Sequence, residues 1–211
     1  MQILDSNFKF SFLKGNFCFS RVAEGIEPFI ISETCRSFKN KNILVILQNN
    51  EQIQSYSEIF SKNLKRFNIL PFPGWDCSPY DTASPDQMLI SKRFYAIRSF
   101  IQNSQSNNLI ITSLNALLLK IPPIQETIIN TTKLEKGKNY QTYGVIKILN
   151  ELGYNRVELV LAPNEYAARG GIIDLWPVGE EKPFRLDFFG DKLEEIKEFN
   201  PISQISLNKK K

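Results

Sequence analysis

Arg156, Arg169, Arg185, Asp187 and Phe189 fall within one stretch of this 211-residue chain and are the side chains best suited to recognising another molecule. An arginine presents a planar fork of donors that matches a carboxylate, and an arginine beside an exposed aromatic is a frequent composition at binding hot spots. The run Phe184–Phe189 organises three of the five. Side chains alternate along a strand, so Phe184, Leu186 and Phe188 take one face while Arg185, Asp187 and Phe189 take the other. An apolar face for a core, backed by mixed charge and one aromatic, fits a recognition surface. The plainer alternative is that Arg169 and Arg185 pair with Asp174 or Asp187 on a solvated sheet.

A second cluster, Asp76, Asp81 and Asp86, sets three carboxylates in the Gly74–Asp86 loop, where oxygen ligands could hold a hard cation. Their spacing matches no ligand loop, and Pro73, Pro79 and Pro85 make a stiff surface turn, so no metal site is expected. The chain has no histidine, which removes Ser-His and Cys-His catalysis and the usual neutral-pH general base. Cys18, Cys35 and Cys77 show no CxxC spacing, so neither a disulfide framework nor a zinc site is expected. No catalytic residue and no cofactor is assigned.

Two kinds of element must position these side chains. From Ile43 to Thr112 the pattern alternates strand and helix. Ile43–Leu47 is a continuous apolar run suited to a strand buried on both faces. Residues 51–65 repeat Ile53, Tyr56, Ile59, Phe60 and Leu64 at helical spacing, and Ile69-Leu70 is a short strand. Ser84, Pro85 and Gln87 predict a capping box opening a helix whose buried stripe is Ile90, Phe94, Ile97 and Ile101. Leu109–Ile111 is another strand, and a short helix then runs to Lys120, before Pro122-Pro123. This alternation predicts a parallel sheet with helices on both faces.

Beyond residues 122–126 the grammar changes. Thr127–Thr132 is strand-like, Lys133–Asn139 is charged and loop-like, and Thr142–Leu152 is a helix ended by Gly153. An antiparallel meander follows, with Ile172–Trp176 and Phe184–Phe189 as strands joined by the Pro177–Lys182 turn. The expected fold is α/β, an incomplete parallel sheet over residues 1–124 with a second, small α+β antiparallel domain over 125–211. Net charge is +4, of which Lys209–Lys211 supply three, so bulk charge gives little support for nucleic-acid binding, although a basic face could exist locally. With 42% hydrophobic residues a real core is expected, and no apolar run approaches the ~18 residues of a membrane span. A reduced, cytoplasmic location is the corresponding expectation.

The pairs Gly153-Tyr154, Glu165-Tyr166, Arg169-Gly170 and Ile173-Asp174, then Pro177, the run Arg185–Asp191 and Glu195-Ile196, carry a family resemblance. They resemble the second domain of the bacterial transcription-repair coupling factor (Mfd) and, more distantly, the matching domain of the excision-repair helicase subunit (UvrB). Gly74-Trp75-Asp76, Pro79-Tyr80-Asp81 and Ser84-Pro85 resemble the coupling factor more than the helicase subunit. The resemblance runs from about Phe17 to the end.

It implies a helicase-like (P-loop-type) first domain without a working nucleotide site. A phosphate loop needs closely spaced glycines, a Lys and a Ser/Thr. Val22–Phe29 offers one glycine, Gly25, between Glu24 and Glu27. The Gly74–Asp86 loop, shorter than the DNA-gripping hairpin of the helicase subunit, keeps Trp75 and Tyr80 only. The resemblance implies that Arg169, Arg185 and Phe189 contact the damage-recognition ATPase UvrA, with Asp187, Arg156, Asp191 and Glu194 as further candidates. RNA polymerase, DNA and ATP-driven translocation would be served by parts of the parent protein absent here, and the chain is expected to be an N-terminal fragment. The alternatives are a DNA-binding fragment of the helicase subunit and a small-molecule enzyme on a doubly wound sheet.

Overall fold

The computed structural model describes residues 15–16, 18–38, 40–78, 82–105, 107–123, 125 and 132–209, with side chains described to 207. The predicted strand at 127–132 lies outside the described residues but for Thr132, as do Phe17, Pro79, Tyr80, Asp81 and the Lys210-Lys211 end. The chain divides into two compact units, Met1–Gly74 with Ser99–Leu119, and Trp75–Arg98 with Lys120–Lys211.

The first unit is a three-stranded parallel sheet in the order β1-β3-β2, from β1 (Ile43–Leu47), β2 (Asn68–Phe72) and β3 (Asn108–Ser113). Helices α1 (Glu27–Ser37) and α2 (Asn50–Asn63) accompany it. Helix α2 starts where Asn49 Oδ1 accepts the Gln52 N–H at 2.9 Å, the N-cap arrangement. Its apolar stripe works as its spacing predicts: Ile53, Phe60 and Leu64 bury against Cys35, Val45, Leu109 and Ile111. Pro71 sits inside β2 because β2 is an edge strand, where a missing N–H costs no ladder bond.

Three expectations are corrected here. The Ile43–Leu47 strand is not buried on both faces. It is the other edge of the sheet, so Val45 packs on the α2 side while Leu44 and Ile46 are 49% and 53% exposed. Helix α3 spans Gln87–Gln102 and its cap is Asp86 rather than Ser84. The Asp86 carboxylate accepts the N–H groups of Met88 at 2.7 Å and Leu89 at 3.3 Å, which outcompetes the hydroxyl two residues earlier. The most buried face of α3 is also not the predicted apolar stripe. Ser91, Arg93, Ala96 and Ser99 are buried, whereas Ile90, Phe94, Ile97 and Ile101 are only partly so. Three of the four buried side chains are small, and the fourth, Arg93, lies over the Trp75 ring.

At the foot of the parallel sheet a row of side-chain amides links the strands. Asn68 donates to Asn108 Oδ1 at 3.1 Å, and Asn108 donates to Asn42 Oδ1 at 2.9 Å and to the Asn103 carbonyl at 2.8 Å. Asn108 is fully buried, so each of these bonds offsets the desolvation of a polar group. Short helix α4 (Leu114–Leu117), capped by Ser113, follows β3.

The second unit holds a six-stranded sheet in sequence order: β4 (Asn155–Arg156), β5 (Glu165–Arg169), β6 (Ile172–Trp176), β7 (Phe184–Phe189), β8 (Lys192–Phe199) and β9 (Ser206–Lys209). All pairs are antiparallel except β4 with β5, a parallel addition to the expected meander. Helix α5 (Thr142–Glu151) covers one face through Val145 and Leu149, which pack with Tyr166, Ile173, Leu175, Phe184, Leu186, Phe188 and Leu193. Gly153, at φ +79°, ends α5 by closing back on the Asn150 carbonyl.

Candidate partner-binding surface

The face of the second sheet turned away from α5 is set by register. The Gly170-Gly171 turn, with Gly170 at φ +57°, pairs Arg169 with Ile172, and β6–β7–β8 pairing extends that row through Asp187 to Glu195. The adjacent row runs Ala167, Asp174, Arg185 and Lys197. Cross-strand partners share a face, so Arg169, Ile172, Asp187 and Arg185 stand on one surface. Phe189 completes it at the end of β7, 80% exposed. The alternation predicted for β7 holds: Phe184, Leu186 and Phe188 are buried, and Arg185, Asp187 and Phe189 are not.

Arg185 is the most constrained of these. Its Nε and Nη2 donate to the two oxygens of Asp174 at 2.7 and 2.8 Å, a bidentate pair. Nη1 lies 3.4 Å from the Gln204 carbonyl and from Ser206 Oγ, and the guanidinium sits 5.1 Å from the Phe199 ring centroid. The hydrogen-bonded Asp174 carboxylate holds the guanidinium pKa above its ordinary value. The side chain retains 24% exposure. The pairing of Arg185 with Asp174 is thus realised, and it leaves the surface position intact.

Arg169 differs. It is exposed, and its Nη2 donates to the Glu158 carbonyl instead of reaching Asp174 or Asp187. With Arg156, Val157, Glu158, Ala167 and Ala168 it lines an open groove of about 420 Å³ along the free side of β5. The groove brings Arg156, also exposed, to the same rim as Arg169. Asp187 is half-exposed with Lys197 Nζ at 3.9 Å, while Glu195 pairs more closely with that lysine and raises its pKa. Asp191 and Glu194 lie at and after the β7–β8 turn, both exposed.

Three participants escape sequence reasoning. Ile172, 38% exposed, stands between Arg169 and Asp187; a two-residue Gly-Gly turn would have fixed that neighbour. Phe199 and Ser206 reach Arg185 from strands one and two along, a relationship with no local signal. Trp176 is core, buried with Val160, Ala167 and Phe199 while its Nε1–H donates to the Glu180 carbonyl at 3.0 Å.

The other two candidate loci have structural duties. Asp76 Oδ1 accepts the Asp86 N–H at 3.2 Å, and Asp86 caps α3, so both carboxylates are engaged within the loop. Trp75 lies under the Arg93 guanidinium, 4.3 Å from its centroid. Ahead of α1, the Gly25 N–H donates to Glu27 Oε2 at 2.8 Å, putting a carboxylate where a phosphate loop would offer a bare amide.

The fold is that of a protein built from a helicase-like α/β unit with a small parallel sheet and a separate, largely antiparallel sheet domain. Residues 132–211 match the family described as the UvrB interaction domain. The chain is 32% identical over 187 residues to the transcription-repair-coupling factor of Haemophilus influenzae, covering 89% of this chain and 16% of that protein. It is 30% identical over 201 residues to that of Borreliella burgdorferi (92% and 17%), and 30% over 139 residues to that of Escherichia coli (66% and 12%). The chain belongs to the transcription-repair-coupling factor family, as a homologue of its N-terminal region, and contains the UvrB interaction domain. It spans 16% and 17% of the length of the first two relatives. No helix among the described residues is long and apolar enough to cross a membrane.

Proposed function

We propose that this chain recruits the damage-recognition ATPase UvrA to stalled transcription complexes through the β5–β8 face of its UvrB interaction domain. The observation that carries the reading is Phe189, 80% exposed beside Arg185, Asp187 and Arg169 on one surface of a domain matched to that family. A large aromatic held in water on a rigid strand contributes most when a partner covers it, and the neighbouring guanidinium edges supply charge-assisted bonds to partner carboxylates. Arg156 and Arg169 extend the contact along the groove. In this reading the first unit is a support without nucleotide chemistry, consistent with the Glu27 carboxylate on the Gly25 amide. RNA polymerase binding and DNA translocation belong to other parts of the full-length relatives.

Size-exclusion chromatography of the chain with purified UvrA tests this. Co-elution that is lost when Phe189 and Arg169 are both replaced by alanine is expected. Separate elution of the wild-type chain and UvrA, with and without ATP, sinks the reading.

A further inference from the structure

A second charged feature lies in the first unit, which holds no residue of the partner surface. Lys65, Arg66, Phe67, Asn68, Asn103 and Asn107 line an open groove of about 360 Å³ at the N-terminal foot of the parallel sheet. No carboxylate lines it. Most cations of the chain that have an ion-pair partner sit elsewhere: Arg36, Arg98, Lys133, Lys138, Lys147, Lys182, Arg185, Lys192 and Lys197 each have an acid. Lys65 and Arg66, both exposed, have no carboxylate partner among the described residues. The sequence explains why. The three segments that meet at this foot run without an acid from Thr34 to Asn50, from Ile59 to Trp75 and from Gln87 to Gln125.

The amides sharpen the polarity. Asn107 Oδ1 accepts the backbone N–H of exposed Lys41 at 3.3 Å, so the acceptor end of that amide is used and its Nδ2 donor has no partner among the described residues. Asn68 and Asn103 spend their own donors on Asn108 and on the Ser99 carbonyl, which fixes the walls. The groove therefore offers an ammonium, a guanidinium and an amide N–H on a rigid frame. That set is complementary to phosphate oxygens.

We infer that this groove is a docking site for the phosphodiester backbone of duplex DNA. Duplex is favoured over single strand because the one aromatic in the groove, Phe67, packs into the Cys35–Phe60 core and offers no ring for unpaired bases to stack on. DNA is favoured over an acidic protein segment because the groove has no apolar anchor pocket of the kind that holds a peptide. The contact is sequence-independent and weak, as two or three phosphate contacts imply. It is independent of the partner-surface reading, which uses other residues in the other unit.

The test is fluorescence anisotropy of a labelled duplex titrated with the full chain at salt from about 50 to 200 mM. Wild-type binding should weaken with salt. Lys65→Glu combined with Arg66→Glu should weaken it at least tenfold at low salt and reduce the slope of log affinity against log salt by about two. Asn107→Asp should weaken it as well, whereas Lys147→Glu, on α5, should not. Thermal unfolding of each variant separates loss of the groove from loss of the fold. No binding at low salt, variants that bind like wild type, tighter binding of a single strand, or equal competition by poly-glutamate each overturn the inference. Removal of the UvrA contact by Phe189→Ala should leave DNA affinity unchanged.

Discussion

Arg185 meets Asp174 across the β6–β7 pair in a two-bond contact of 2.7 and 2.8 Å. The same guanidinium sits by the Phe199 ring, and the side chain as a whole keeps 24% exposure. One side chain thus links strands β6 to β9 and stands on the candidate surface.

Replacing Arg185 by alanine consequently affects stability as well as binding. It strands a carboxylate that is only 12% exposed, at a cost of about 1–3 kcal/mol once residual solvation is allowed for. Urea denaturation of Arg185→Ala, Asp174→Ala and the double variant gives the coupling. A loss in the double variant equal to the sum of the singles would show that the pair contributes nothing. Arg185→Lys retains charge but not the fork, and should recover only part of the stability.

Phe189→Ala separates the two roles. Its ring is in water, so unfolding free energy should change by no more than about 0.5 kcal/mol. Affinity for UvrA should fall about thirty-fold, or ~2 kcal/mol, by calorimetry or surface plasmon resonance. A binding constant within twofold of wild type removes Phe189 from the contact.

Gly171 should tolerate no side chain. A Cβ there would lie 2.6 Å from the Phe188 carbonyl oxygen, which is backbone and cannot swing aside. Gly171→Ala should therefore cost about 1–3 kcal/mol in thermal or urea unfolding. Gly170→Ala meets open space and pays only for its φ of +57°, about 1 kcal/mol. Equal losses at the two positions contradict the steric account.

Cys35 is the thiol that folding protects. Burial pushes its pKa up to about 11 from 9.0, and the residue is 1% exposed, whereas Cys18 is exposed and Cys77 partly so. A thiol reagent near neutral pH should label Cys18 and Cys77 in the native chain and Cys35 only after denaturant is added. Because the folded state disfavours the thiolate, its contribution to stability is complete below pH 9.0 and is lost as pH rises towards and through about 11. Native labelling of Cys35 at the rate of Cys18 contradicts this.

The sequence made the outline of the second sheet readable where alternation and β-branched content coincide. Ile172–Trp176 and Phe184–Phe189 appear at the expected residues. The neighbouring strands β5, Glu-Tyr-Ala-Ala-Arg, and β8, Lys-Leu-Glu-Glu-Ile-Lys-Glu-Phe, carry residues that favour helix and become strands through pairing on both sides. In the first sheet, apolar content alone overstated burial, because Leu44 and Ile46 belong to an edge whose position depends on strand order. The Asp86 cap was hidden by a competing Ser-x-x-Gln pattern two residues upstream. For the candidate surface, the strand face of Arg185, Asp187 and Phe189 could be read from spacing. The commitment of Arg185 to Asp174, Phe199 and Ser206 depends on register across four strands, which no local pattern encodes.

The amide row through Asn42, Asn108 and Asn68 has a further consequence for how the parallel sheet assembles. Each primary amide has a donor end and an acceptor end, and here they alternate in one direction across the strands. Shifting either outer strand by one residue would cost the buried Asn108 amide one of its complements and turn apolar side chains to the wrong side. Parallel three-strand sheets form slowly because their contacts are distant in sequence. A polar dowel at one end gives this one a means of rejecting misaligned intermediates before the hydrophobic layer closes.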